Sequence, residues 1–205
     1  QLRPLAEKIY GVLPAGEPVK RVRTEEPPHN AAVRVILRDA RVRQPSLRRR
    51  YLAPSLQFGE RQHVYPLEVL AQIIGGGATS TLYQSLVIKQ KLAVSAGAFY
   101  DGDNMGPSNF GFYASPRPGV SMADLETALD KEIATLVENG VSQPNVTRAV
   151  NTMLAKAIYA RDSIGGGARV IGAALASGQT IADVEEWPER ISKVTVEQIN
   201  QAAKA

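Results

Sequence analysis

His29 and His63 are the only imidazoles in a chain of 205 residues, and there is no cysteine. A hydrolytic zinc needs three protein ligands and an open fourth position, and neither histidine has a second one three to five residues away. Zincin and inverted-zincin spacings are therefore absent, and the lack of cysteine excludes disulfides and thiolate metal sites while leaving the compartment open. His29 lies among prolines, and His63 opens a helical pattern. Ser80, Ser85, Ser95 and Ser163 lack the Gly-x-Ser-x-Gly elbow that exposes a nucleophile. The run Gly75-Gly-Gly-Ala-Thr-Ser-Thr81 has the glycines of a phosphate cradle, because free N–H groups before a helix attract anions. It lacks the Gly-Lys-Ser/Thr ending of a P-loop and does not follow a strand, so a tight helix corner is the better reading. Gly165 to Gly167 read in the same way as a kink or hinge. Asp101 and Asp103 lie in a turn without the further oxygen ligands and closing glutamate of a calcium loop. The residues thus nominate no catalytic, cofactor-binding or metal-ligating set.

Charge raises one more possibility. The net charge is +4, and Arg34, Arg38, Arg41, Arg43, Arg48, Arg49 and Arg50 crowd one stretch. Arginines that neutralise phosphates give non-specific affinity for nucleic acid. In an extended segment, however, successive side chains alternate faces, which divides these arginines between two surfaces, and no aromatic or glycine-rich nucleic-acid motif accompanies them. Nucleic acid is not an expected partner. The longest apolar runs fall well short of the roughly 18 to 20 residues that span a bilayer, so no membrane span is expected. Arg3, Glu7 and Lys8 stand where a signal peptide would have its apolar core, which says nothing about a longer precursor.

The elements that would position any site centre on His63 to Tyr100. Val64, Leu67, Ala71 and Ile74 recur at helical spacing, the glycines at 75 to 77 break the helix, and Leu82, Leu86 and Val87 resume the period. Leu92 to Tyr100 reads as a strand buried on both faces or closely crossed by another element, and Ser108 to Ala114 as its antiparallel hairpin partner across a long turn. Leu2 to Tyr10 is a short amphipathic helix closed by Gly11, and residues 14–30, rich in proline, form an exposed connector. Ala31 to Leu37 alternates as a strand, and Leu47 to Ala53 is a second strand whose three arginines place its burial in question or charges in a cavity. Four or five helices follow. Ser121-Met-Ala-Asp124, Thr180-Ile-Ala-Asp183 and Thr195-Val-Glu-Gln198 are capping starts, and Pro144 opens another helix in its first turn. The expected class is α+β, a two-layer sandwich of a mainly antiparallel sheet with helices on one face, over a single domain spanning 1–205.

The runs Gly75-Gly-Gly-Ala-Thr-Ser-Thr-Leu-Tyr-Gln-Ser-Leu86 and Lys89-Gln-Lys-Leu-Ala-Val-Ser-Ala-Gly-Ala-Phe-Tyr100 resemble the second, metal-free domain of pitrilysin-type (M16) zinc peptidases. So do the Leu5 to Pro14 opening, the Pro45 to Pro54 strand region and the Gly140-Val-Ser142 hinge. The resemblance implies the LuxS/MPP-like metallohydrolase fold and a fragment of a longer, two-domain bacterial zinc protease. It implies a non-catalytic domain that packs on an N-terminal zinc-bearing domain and walls a chamber around peptide substrate. Zinc would sit in that other domain, bound by His-x-x-Glu-His. The family also uses an arginine and a tyrosine seven residues apart in its metal-free half, and here Val87 and Val94 occupy those places. The resemblance therefore implies a second M16 subunit as the carrier of that pair. Bacterial members are often exported, so a periplasmic parent is favoured over a cytoplasmic one. The alternative is a catalytically inert structural subunit of the same fold, as in the core proteins of respiratory complexes.

Overall fold

A computed structural model describes residues 2–14, 16, 17 and 30–205. It divides into two compact units, residues 1–39 and 40–205. The expected connector at 14–30 and His29 lie almost wholly outside the described residues.

In the first unit, Leu2–Tyr10 form helix α1, with Arg3 Nε donating to Glu7 Oε1 at 2.8 Å and the Gly11 N–H to the Glu7 carbonyl at 2.9 Å. The stripe seen in the sequence is present, yet none of its residues is buried, and Leu2, Leu5 and Ile9 are all exposed. The strand expected over Ala31 to Leu37 is not formed. Val33 and Val35 are 84% and 85% exposed and no described strand pairs with them. Alternation selects a face only when a neighbouring strand takes up the backbone hydrogen bonds, and no described strand does.

The second unit holds strand β1 (Leu47–Ala53), helix α2 (Val64–Gly75), a π-helical segment (Tyr83–Lys89), strands β2 (Ala93–Tyr100) and β3 (Ser108–Pro116), and helices α3 (Met122–Asn139), α4 (Gln143–Ala160), α5 (Gly166–Ala176), α6 (Ile181–Ser192) and α7 (Val196–Ala202). The sheet is antiparallel, in the order β1-β3-β2. Arg49 lies opposite Phe112, which lies opposite Ala98, and Arg50 lies opposite Gly111, which lies opposite Phe99. Because side chains alternate, one face carries Ala96, Ala98, Phe110, Phe112 and Ala114, all buried against the core residues of α2. The other carries Arg48, Arg50, Phe99 and Tyr113. Helices segregated to one face of an antiparallel sheet make this α+β, in two layers.

The close crossing expected at Leu92 to Tyr100 has a cause in Gly75. A Cβ there would overlap the Ala98 backbone, so the end of α2 rests directly on β2. The three arginines of β1 divide by face. Arg49 turns to the helices and binds Glu126 and Asp130 of α3, while Arg48 and Arg50 are exposed. The capping starts form as expected. Ser121 accepts from the Asp124 N–H, and Thr180 with Asp183 and Thr195 with Gln198 make reciprocal capping boxes. Leu125 and Leu129 supply the fully buried part of the α3 stripe.

Candidate functional site

The corner after α2 is built from local bonds. The Gly76 N–H donates to the Gln72 carbonyl at 3.0 Å, and Gly77 takes a φ of 112°, which a side chain would resist. The helix that resumes beyond it is wider than an α-helix, since the Gln90 N–H donates five residues back to the Ser85 carbonyl at 2.9 Å. Arg117 fastens this segment to the sheet, donating from Nη2 to the Val87 carbonyl at 3.1 Å and from Nε to the Ala93 carbonyl at 3.2 Å. Val87 is buried in the core, whereas Val94 is 46% exposed on β2. These two positions, where the resemblance sets an arginine and a tyrosine, thus face different surroundings, and neither offers a hydrogen-bond donor.

His63 is buried at the 3₁₀ turn that leads into α2, where its Nε2 lies 2.9 Å from Glu60 Oε2. That contact orients the ring within its own turn. Among the described residues no group of three or more histidines, cysteines, aspartates or glutamates could hold a metal ion, so these residues do not fit zinc. Asp101 ties its own turn, accepting from the Asp103 N–H at 3.0 Å, with Ser108 Oγ bound to its carbonyl.

The groups with the most altered chemistry surround a cavity of about 370 Å³ between α2, the β2–β3 turn, α4 and α6, lined by Glu68, Gln72, Tyr100, Asp103, Met153 and Trp187. Glu68 stands on α2 and accepts from Trp187 Nε1 at 2.8 Å. Burial pushes its carboxyl up to about 7; the indole bond opposes the shift, and Asp103 and Asp101 add to it. Asp103 is raised as well, mainly by desolvation, against a bond from Gln179 Nε2 at 3.0 Å. Burial, and then Glu68, hold the Tyr100 phenol above its ordinary value, and its hydroxyl donates to the Pro54 carbonyl at 2.6 Å. The pocket can store a proton near neutrality.

A second network fixes the wall. Arg190 of α6 donates to the Tyr65 hydroxyl at 2.7 Å, Asp183 Oδ1 at 2.9 Å and Glu186 Oε2 at 2.8 Å. The Thr180 backbone and hydroxyl bonds, followed by Arg190, hold Asp183 down at about 2. Glu68 was the residue that sequence reasoning passed over. Its signal is a lone carboxylate in a helix whose neighbours Leu67, Val69, Leu70 and Ala71 are all buried.

The profile of the family described as "Peptidase M16 inactive domain" matches residues 1–153. This chain belongs to that family. Solved structures share the fold of this M16 inactive domain. A protease from Helicobacter pylori is 18% identical, with a TM-score of 0.86 over 98% of this chain and 48% of its own. The inactive peptidase domain of a candidate zinc protease from Bordetella parapertussis is 20% identical, with a TM-score of 0.67 over 78% of this chain and 82% of its own. A peptidase M16 inactive domain from Pseudomonas fluorescens is 18% identical, with a TM-score of 0.62 over 78% of this chain and 37% of its own. The M16 inactive domain spans about half the length of the H. pylori protein. No curated protein matches its sequence. None of its described helices is long and apolar enough to cross a membrane.

Proposed function

We propose that this M16 inactive domain is the non-catalytic part of a zinc-dependent metalloendopeptidase, and that it packs on a zinc-bearing domain of the same parent chain and walls part of an enclosed peptide chamber. Membership of the inactive-domain family carries the reading. Two features support it: the described side chains assemble no metal-ligand set, and Val87 and Val94 supply neither charge nor phenol to a tetrahedral intermediate. Zinc would supply Lewis-acid and water-activating chemistry from the other domain. This chain's share is to close the chamber and hold peptide, and the Arg/Tyr pair would come from a second M16 subunit.

The test is reconstitution. With an M16 subunit carrying the Arg/Tyr pair present throughout, a fluorogenic peptide is offered to this chain alone, to the zinc-bearing half encoded by the same reading frame, and to the two together. Cleavage is expected only in mixtures that contain the zinc half, to rise when this domain is added, and to disappear with chelator. Chelator-sensitive cleavage by this chain alone, or a zinc half indifferent to its addition, overturns the proposal.

A further inference from the structure

Helices cover one face of the sheet, and on the other Leu52 is 52% exposed and Phe99 and Tyr113 are each 38% exposed. Since Arg49 points to α3, alternation sends Arg48 and Arg50 to the bare face. Across the sheet Arg48 lies opposite Tyr113 and then Gly97, and Arg50 opposite Gly111 and then Phe99. The two glycines are seats for rings. A Cβ on Gly97 would strike the Tyr113 phenol and one on Gly111 the Phe99 ring, so each ring lies down on the neighbouring strand. The Arg50 guanidinium sits 6.0 Å from the Phe99 centroid, within cation–π range. Arg48 has no ion pair or hydrogen bond among the described residues, unlike Arg49 one position on. The result is a platform with two cations, neither of them neutralised by a carboxylate among the described residues.

The spacing of the cations defines what complements them. Alternate residues of a strand repeat every ~6.6 Å on one face, and so do alternate side chains of any extended peptide laid alongside. We propose that this face binds extended acidic peptide, with two carboxylates two residues apart (Asp/Glu-x-Asp/Glu) engaged by Arg48 and Arg50 and neighbouring apolar groups resting on Leu52 and Tyr113. Guanidinium matches carboxylate in a planar, two-pronged bond. Single-stranded nucleic acid also stacks on aromatic sheet surfaces, but it needs open ring faces, and Arg50 already stands over Phe99. The inference rests on the chamber reading, to which it adds the class of peptide that this wall retains.

The experiment uses this chain, without the zinc half, and a fluorescein-labelled peptide of alternating glutamate and threonine, with alternating glutamine and threonine as the neutral probe. Anisotropy at low salt should show the acidic peptide binding about tenfold more tightly, as two modest charge pairs together supply. Arg48→Gln with Arg50→Gln should erase the preference, and Arg169→Gln, an exposed arginine on α5, should leave it intact. Both target side chains are exposed, so circular dichroism should be unchanged. Equal binding of the two peptides, a preference that survives the double variant, or tighter binding of oligothymidylate through the same arginines overturns the inference. A lost preference in a chain that still completes a chelator-sensitive peptidase defeats this inference alone. A preference kept by a chain with no peptidase partner defeats only the chamber reading.

Discussion

Glu68 turns the pocket into a pH-dependent element of stability. Its carboxyl is pushed from 4.5 up to about 7 in the folded state, first by burial, while the unfolded chain returns it to the ordinary value. Between those values the folded state keeps a proton that the unfolded state has released, so stability falls as pH rises through the window. At 1.36 kcal/mol per pKa unit the full penalty is about 3 kcal/mol above about pH 8, and it vanishes below about pH 4. Glu68→Gln removes the titration and keeps an oxygen for Trp187 Nε1. Trp187 is the only tryptophan, so urea unfolding followed by its fluorescence reports on the site directly. The variant should gain on the parent as pH rises, ending about 2 to 3 kcal/mol more stable near pH 8 and level with it near pH 4. Parallel stability curves from about pH 5 to about pH 8 would refute the burial argument.

Three further outcomes follow from packing and charge. Gly75→Ala drives a methyl group into the Ala98 backbone and should cost about 2 to 3 kcal/mol in urea unfolding, whereas Gly167→Ala, which meets nothing within 4 Å on α5, should stabilise by about 0.5 to 1 kcal/mol. Arg49→Met breaks the partly buried link to Glu126 and Asp130 and should cost about 1 to 2 kcal/mol, less in high salt, as a paired urea series at low and high ionic strength would show.

Local signals were the most legible. The capping starts at Ser121, Thr180 and Thr195 are read from residues three apart, and the bounds of β1 came directly from Leu47 to Ala53. The hairpin of β2 and β3 was visible because each strand is flanked by its own turn residues. Ala31 to Leu37 misled because alternation describes a strand's faces and not whether a neighbour exists for it. The π-helical widening after Leu82 was hidden, since Leu86 and Val87 fit the narrower period equally well. The pocket could not be seen at all. Glu68 and Trp187 are 119 residues apart and meet only through the packing of α6 on α2, and no spacing rule links positions so distant. The arginine run was half legible. Alternation split Arg48 and Arg50 from Arg49 within β1, whereas Arg34, Arg38, Arg41 and Arg43 lie outside any strand, and only the structure says that Arg49 is neutralised.

Strand β1 is outermost in its sheet, so one flank of its backbone has no partner among the described strands. Such a margin is a template for another copy of the chain. Two exposed positive charges, Arg48 and Arg50, lie along it, while Arg49 is paired with Glu126 and Asp130, and two molecules approaching flank to flank would bring like charges together. The arginines therefore act as a fence against lateral accretion, and a version of this polypeptide neutralised there would be harder to keep monodisperse.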